Sequence, residues 1–74
     1  MKYKNGPSLT RREIEILQLI AEGKSTTEIA ETASLRPSTV FTHRKNILRK
    51  TGEKNIMAVI MLAMRHKIIA IKKR

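Results

Sequence analysis

Four start signals for helices, crowded into a chain of 74 residues, leave little room for any other kind of structure. In "LTRRE", Thr10 stands three positions before Glu13, the spacing at which a hydroxyl and a carboxylate each accept an orphan backbone N–H of a first helical turn. "KSTTE" repeats the arrangement with Ser25 and Glu28. Pro37 suits the first position of a helix, where a missing N–H costs nothing, and Asn55 is a competent cap before an apolar run. Gly23 and Gly52 supply stops, because glycine readily takes the left-handed conformation that closes a helix.

Apolar spacing agrees with this punctuation. Ile16, Leu17, Ile20 and Ala21 make one face of a helix from about Arg11 to Glu22. A short helix then runs through about Ala33, and a longer one from Pro37 to Thr51 carries Val40, His43, Ile47 and Lys50 or Thr51 inward. The fourth, "IMAVIMLAMRH", is apolar on every side. Ala58, Val59, Leu62 and Ala63 are expected to face the core, which leaves Met57, Ile60, Met61 and Met64 around the rest. A helix of that kind is buried on more than one side, and a second copy of the chain is the expected cover. The fold class is all-α, with four helices. Residues 1–8, with Gly6, Pro7 and no apolar period, read as a flexible basic arm, residues 9–70 as the domain, and residues 71–74 as a basic tail.

Size and composition exclude several functions. A single domain this small has no room for a deep catalytic cleft. Glu13, Glu15, Glu22, Glu28 and Glu31 fall on the first two helices as caps or solvent-side charges, no nucleophile and base are paired, and no Gly-rich phosphate loop occurs, so no enzyme is expected. There is no cysteine, and His43 and His66 lack partners for a metal site, so neither metal nor cofactor is expected. The greasiest stretch, Ile56 to Ile71, is interrupted by Arg65, His66 and Lys67, and the first residues lack the apolar run of a secretory signal. The expectation is a cytoplasmic protein that does not cross a membrane.

The formal charge of +10 is unevenly spread. Residues 8–33 hold three basic side chains against five acidic ones. Residues 34–54 carry Arg36, Arg44, Lys45, Arg49, Lys50 and Lys54 against Glu53 alone, and residues 55–74 add Arg65, Lys67, Lys72, Lys73 and Arg74. Charges that served solubility alone would be interspersed with acids, as they are in the first two helices. In the third helix they stand beside Ser38, Thr39 and Thr42, whose hydroxyls, with the free N–H groups of a helix start, suit phosphate oxygens. A short helix, a tight turn and a longer basic helix make a helix-turn-helix, and double-stranded DNA is the expected partner.

The stretch "LTRREIEILQLIAEGKSTTEIAETASLRPSTVFTHRKNILRKTG" resembles the LuxR-type (FixJ/NarL-like) DNA-binding domain, whose pattern runs approximately LTxREREVLxLIAxGxSNKEIAxxLxISxxTVKxHxxNIxxKLG. The resemblance extends to about residue 69 and includes Leu9, Thr10, Arg12, Glu13, Leu17, Ile20, Ala21, Gly23, Ser25, Glu28, Ile29, Ala30, Thr39, Val40, His43, Asn46, Ile47, Lys50 and Gly52. It implies a four-helix transcription regulator in which helix 3 reads the major groove, helix 2 braces it and helix 4 forms a homodimer. Carried over by position, Phe41, Thr42 and Lys45, with Arg44 beside them, are the base-contacting candidates. Lys24, Thr27, Ser38, Thr39, His43, Arg49 and Lys50 are assigned to the DNA backbone or to support of the helix, and Met57, Ile60, Met61 and Met64 to the dimer. Two recognition helices about 34 Å apart would meet grooves on one face of a duplex. RNA polymerase is a further candidate partner. With Met1 so near the domain, a standalone regulator controlled by its abundance is the expectation.

The chain departs from the pattern at Arg36, where the family usually has Ser, at Phe41, where it has Lys, and at Glu53 and Ile56 after the glycine. Two roles stay open for Phe41, packing on a thymine methyl group or burial against Leu48. His43 is read as a core-edge histidine in preference to a base contact. Rival functions are a protein-interaction module built on helix 4 and a membrane-surface binder using helix 4 with the basic tail. RNA binding is weaker, since only Tyr3 and Phe41 could stack on unpaired bases.

Overall fold

The computed structural model describes residues 9–70; the basic arm and tail expected at 1–8 and 71–74 lie outside them. Four helices follow in order, α1 (Arg11–Ala21), α2 (Thr26–Ala33), α3 (Pro37–Thr51) and α4 (Ile56–Arg65), and no strand occurs among the described residues. Both capping boxes form. Thr10 Oγ1 accepts the N–H of Glu13 at 3.0 Å while Glu13 Oε1 accepts that of Thr10 at 2.8 Å, and Ser25 with Glu28 does the same at 3.1 and 2.8 Å. Asn55 Oδ1 caps α4 through the N–H of Ala58 at 2.9 Å. Pro37 takes the first position of α3, and Gly52, at φ 73°, ends it.

Three helices close in one way. After α1, Lys24 donates to the Leu19 carbonyl and Gly23 to that of Ile20; after α2, Leu35 donates to Ala30 and Ser34 to Glu31; after α4, Ile68 donates to Ala63 and Lys67 to Met64. These paired bonds satisfy carbonyls that a helix end leaves unmatched, and they need a left-handed residue at the turn. Gly23 supplies it in the first case, while Ser34 at φ 58° and Lys67 at φ 59° adopt it despite their side chains. The residue after each of those two, Leu35 and Ile68, packs against the core, which offsets the backbone cost.

α3 packs against each of the other three helices. Its two fully buried residues sit in different apolar clusters. Val40 joins Ile16, Ile29, Ala30 and Ala33 between α1 and α2. Ile47 joins Leu9, Leu17, Val59, Ile60, Ala63 and Ile69, gathered from the segments before α1 and after α4 as well as from the helices. Burying each such side chain stabilises by about 1.5–3 kcal/mol, so α3 is clamped near both ends.

The phase of α4 corrects one expectation. Ile60 was expected on the dimer surface, yet it is 5% exposed and belongs to the core. Val59, Ile60 and Ala63 turn inward together with Ile56 and Leu62 half-buried against the same cluster, whereas Ala58, expected to face the core, is half-buried outside it. An all-apolar helix carries no polar residue to fix which stripe faces in, so a small rotation brings Ile60 inward in place of Ala58 while Val59 and Ala63 stay buried. Met57, Met61 and Met64 remain outside, at 60, 61 and 39% exposure.

Glu13 is buried to 3% exposure, and the Lys50 ammonium reaches its Oε1 at 2.9 Å across α1 and α3. Burial pushes the carboxyl pKa up, but the hydrogen bond and charge of Lys50 and the bonds with Thr10 outweigh it and hold the group below the ordinary carboxylate value. A depressed folded pKa stabilises fully above the unfolded value and loses that contribution as pH falls through the folded one. Glu13→Gln keeps the capping spacing and removes the charge. The variant is therefore expected to melt below the wild type at neutral pH, with the gap narrowing below about pH 4.5. Thermal melts followed by circular dichroism across that range test this, and a gap independent of pH would contradict it.

Candidate nucleic-acid interface

α3 has two opposed faces. Val40 and Ile47 are fully buried on one, and on the other Ser38, Phe41, Thr42, Lys45 and Arg49 follow at helical spacing, every one exposed. No acidic residue occurs in α3. Phe41 is 53% exposed, so it is not a core residue packed with Leu48, and the burial role left open for it does not hold. The Thr42 hydroxyl donates to the Ser38 carbonyl at 3.1 Å, which leaves its oxygen to accept outward. Lys45 is held by no side-chain bond among the described residues, and Arg49 Nη2 makes only a long contact of 3.5 Å with Asn46 Oδ1. Arg44, expected beside the base-facing residues, stands off this row and is half-buried.

The start of α3 is electrostatically open. α1 and α2 carry acidic first turns and capping boxes, but Arg36 caps α3 with no side-chain bond and the first turn holds no acid. The N–H groups of Thr39 and Val40 both turn to the Arg36 carbonyl, at 2.9 and 3.1 Å. Ser38 is exposed beside Arg36 at the positive end of the helix dipole, an arrangement that suits a phosphate. Thr39 is half-buried, and Lys24 and Thr27 are exposed just before and within the first turn of α2.

Of the residues assigned to the DNA backbone, Lys50 is placed otherwise and His43 is restricted. Lys50 does not point to solvent: its ammonium is bound to Glu13, because a buried carboxylate at the start of α1 needs a cation and the last turn of α3 is the element beside it. His43 is half-buried, and its Nδ1 is shielded without a hydrogen-bond partner, so the ring could meet a phosphate only through Nε2. That agrees with reading His43 as a core-edge residue.

Sequence spacing also gave no sign of two braces. Arg12 Nη1 donates to the Ala33 carbonyl at 3.0 Å and pairs with Glu15 at 3.3 Å. The last turn of α2 has no basic residue of its own, so α1 lends the positive charge that a helix C-terminus favours, just ahead of the turn into α3. The Gln18 amide clasps Ala70, donating to its carbonyl at 2.7 Å and accepting its N–H at 3.2 Å. No described group of three His, Cys, Asp or Glu side chains could hold a metal ion, and no described helix is long and apolar enough to cross a membrane.

Residues 7–63 match the family model described as bacterial regulatory proteins, luxR family. The chain is 45% identical over 64 residues to the uncharacterized response regulatory protein YgeK of Escherichia coli K12, covering 86% of this chain and 44% of that protein. It is 44% identical over 62 residues to the transcriptional regulatory protein MctR of Rhizobium johnstonii, covering 84% and 29%. Against the response regulator protein VraR of Staphylococcus aureus the identity is 43% over 61 residues, covering 82% and 29%. The chain thus spans less than half the length of these relatives.

Proposed function

We propose, since the chain belongs to the luxR family of bacterial regulatory proteins, that α3 lies in the major groove of duplex DNA and reads a short sequence there. The family binds DNA to regulate transcription and is not enzymatic. The observation that carries the reading for α3 is its outward row, Ser38, Phe41, Thr42, Lys45 and Arg49, cationic, free of acids and opposed to the two buried anchors. Phosphate contacts position such a helix and base edges specify it. Phe41, Thr42 and Lys45 occupy the centre of the row and take base edges, with Arg44 on its flank. Ser38, Arg49 and the start of α3, with Thr39, His43 Nε2, Lys24 and Thr27 around it, take phosphates.

A second copy would pair through the exposed Met57, Met61 and Met64, whose soft side chains at spacings of four and three suit a self-complementary contact. The homodimer would set two α3 helices about one duplex turn apart. RNA polymerase as a further partner rests on family membership alone, and a cytoplasmic location is the reading that a DNA ligand in a bacterial cell supports.

Selection of bound fragments from a random duplex pool gives the site. On it, Lys45→Ala is expected to flatten the preference for the selected sequence over random duplex. Arg49→Ala is expected to weaken both alike and to lower the salt slope of binding by about one unit. Titrations at several salt concentrations measure both. Identical behaviour of the two variants on both duplexes would remove the division into base and phosphate roles.

A further inference from the structure

Phe41 is the residue of the α3 row that solvation does not explain. It belongs to neither apolar cluster, it is 53% exposed, and it sits amid hydroxyl and cationic side chains. Aromatic residues make up only 3% of the chain, so a ring spent on a polar face is not a by-product of composition. Its neighbour Thr42 has turned its hydroxyl proton back to the Ser38 carbonyl, so the middle of the row offers an apolar ring and no side-chain donor until Lys45.

A surface with an apolar centre and a cationic rim matches a base edge that presents a carbon group. In the major groove that group is the C5-methyl of thymine, which apolar side chains contact, while lysine and arginine favour guanine O6 and N7. We propose that Phe41 packs on the methyl group of one thymine in each half-site, beside a guanine read by Lys45. Side chains four apart on a helix have Cβ atoms about 5–6 Å from each other, less than two base steps of about 3.4 Å, so the thymine falls within about two base pairs of that guanine. The inference rests on α3 lying in the major groove, and it adds what the central position of the row recognises.

Deoxyuridine in place of thymidine removes the methyl group and leaves every hydrogen-bonding atom of the base. On the selected site, each thymine near the guanine is replaced in turn and affinity measured by fluorescence anisotropy with the full chain. One replacement is expected to weaken wild-type binding roughly three- to fivefold, the scale of one buried methyl group. The same replacement should leave Phe41→Ala unchanged, and that variant should keep its fold because the ring is exposed. Insensitivity at every thymine, or an equal loss in Phe41→Ala, overturns the proposal; a ring wedged between base steps would give the first result. Selection of no site at all overturns the groove-reading role of α3 as well, which separates the two failures.

Discussion

Met61→Glu is expected to convert the protein to a monomer and to lower its affinity for a duplex with two half-sites by at least about 100-fold. Met61 is 61% exposed in the middle of the methionine row on α4, so a carboxylate there leaves the monomer core intact. In a symmetric pair it would place two like charges near the axis, in apolar surroundings where neither finds a partner. The loss on DNA is larger than any single contact explains. Two linked reading heads gain about 10²–10⁴ in avidity over one when the geometry lets both engage, and a monomer forfeits that gain. Light scattering measures the mass, and titration of duplexes with one or two half-sites, spaced about 10 base pairs, measures the coupling. A variant that stays dimeric would place the contact elsewhere. One that becomes monomeric yet binds the double site undiminished would separate self-association from recognition.

Lys50→Met is expected to cost about 2–3 kcal/mol of stability while leaving the salt dependence of DNA binding unchanged. Removing one partner of a buried pair leaves the other charge uncompensated, at about 3–5 kcal/mol when burial is complete, and the Lys50 side chain keeps 17% exposure, which lowers the figure. A chain of 74 residues holds about 4–11 kcal/mol in all. The expected fall in melting temperature is about 10–20 °C at this size. Adding Glu13→Gln should recover part of it, because the double variant no longer buries a lone charge. Chemical denaturation of the single and double variants gives the coupling. A salt slope that falls by about one unit in Lys50→Met, as expected for Arg49→Ala, would mean that Lys50 reaches a phosphate after all.

Local signals made most of the fold legible. A capping box involves residues three apart, and Pro37 and Gly52 act at their own positions, so the ends of α1, α2 and α3 could be read to within about a residue. For α3, periodicity gave the inward stripe with Val40 and Ile47, whereas Phe41, Thr42 and Lys45 came only from the family resemblance; it left two roles open for Phe41 and set Arg44 beside a row from which the structure holds it off. The phase of α4 was not legible, because an apolar residue at nearly every position erases the contrast from which a face is read. Lys50 with Glu13, Arg12 with Ala33 and Gln18 with Ala70 escaped for another reason: each joins separate elements, and no pattern along the chain marks such partners. Ser34 and Lys67 hid their closing turns because residues other than glycine take the left-handed conformation there.

Leu9 and Ile69 share one cluster with Ile47, on the inner side of α3. The described residues therefore begin and end against one core, on the side of α3 opposite the row of Ser38, Phe41, Thr42, Lys45 and Arg49. A deletion that reaches Leu9 from one side or Ile69 from the other would open the same cluster and loosen the part of α3 that Ile47 holds.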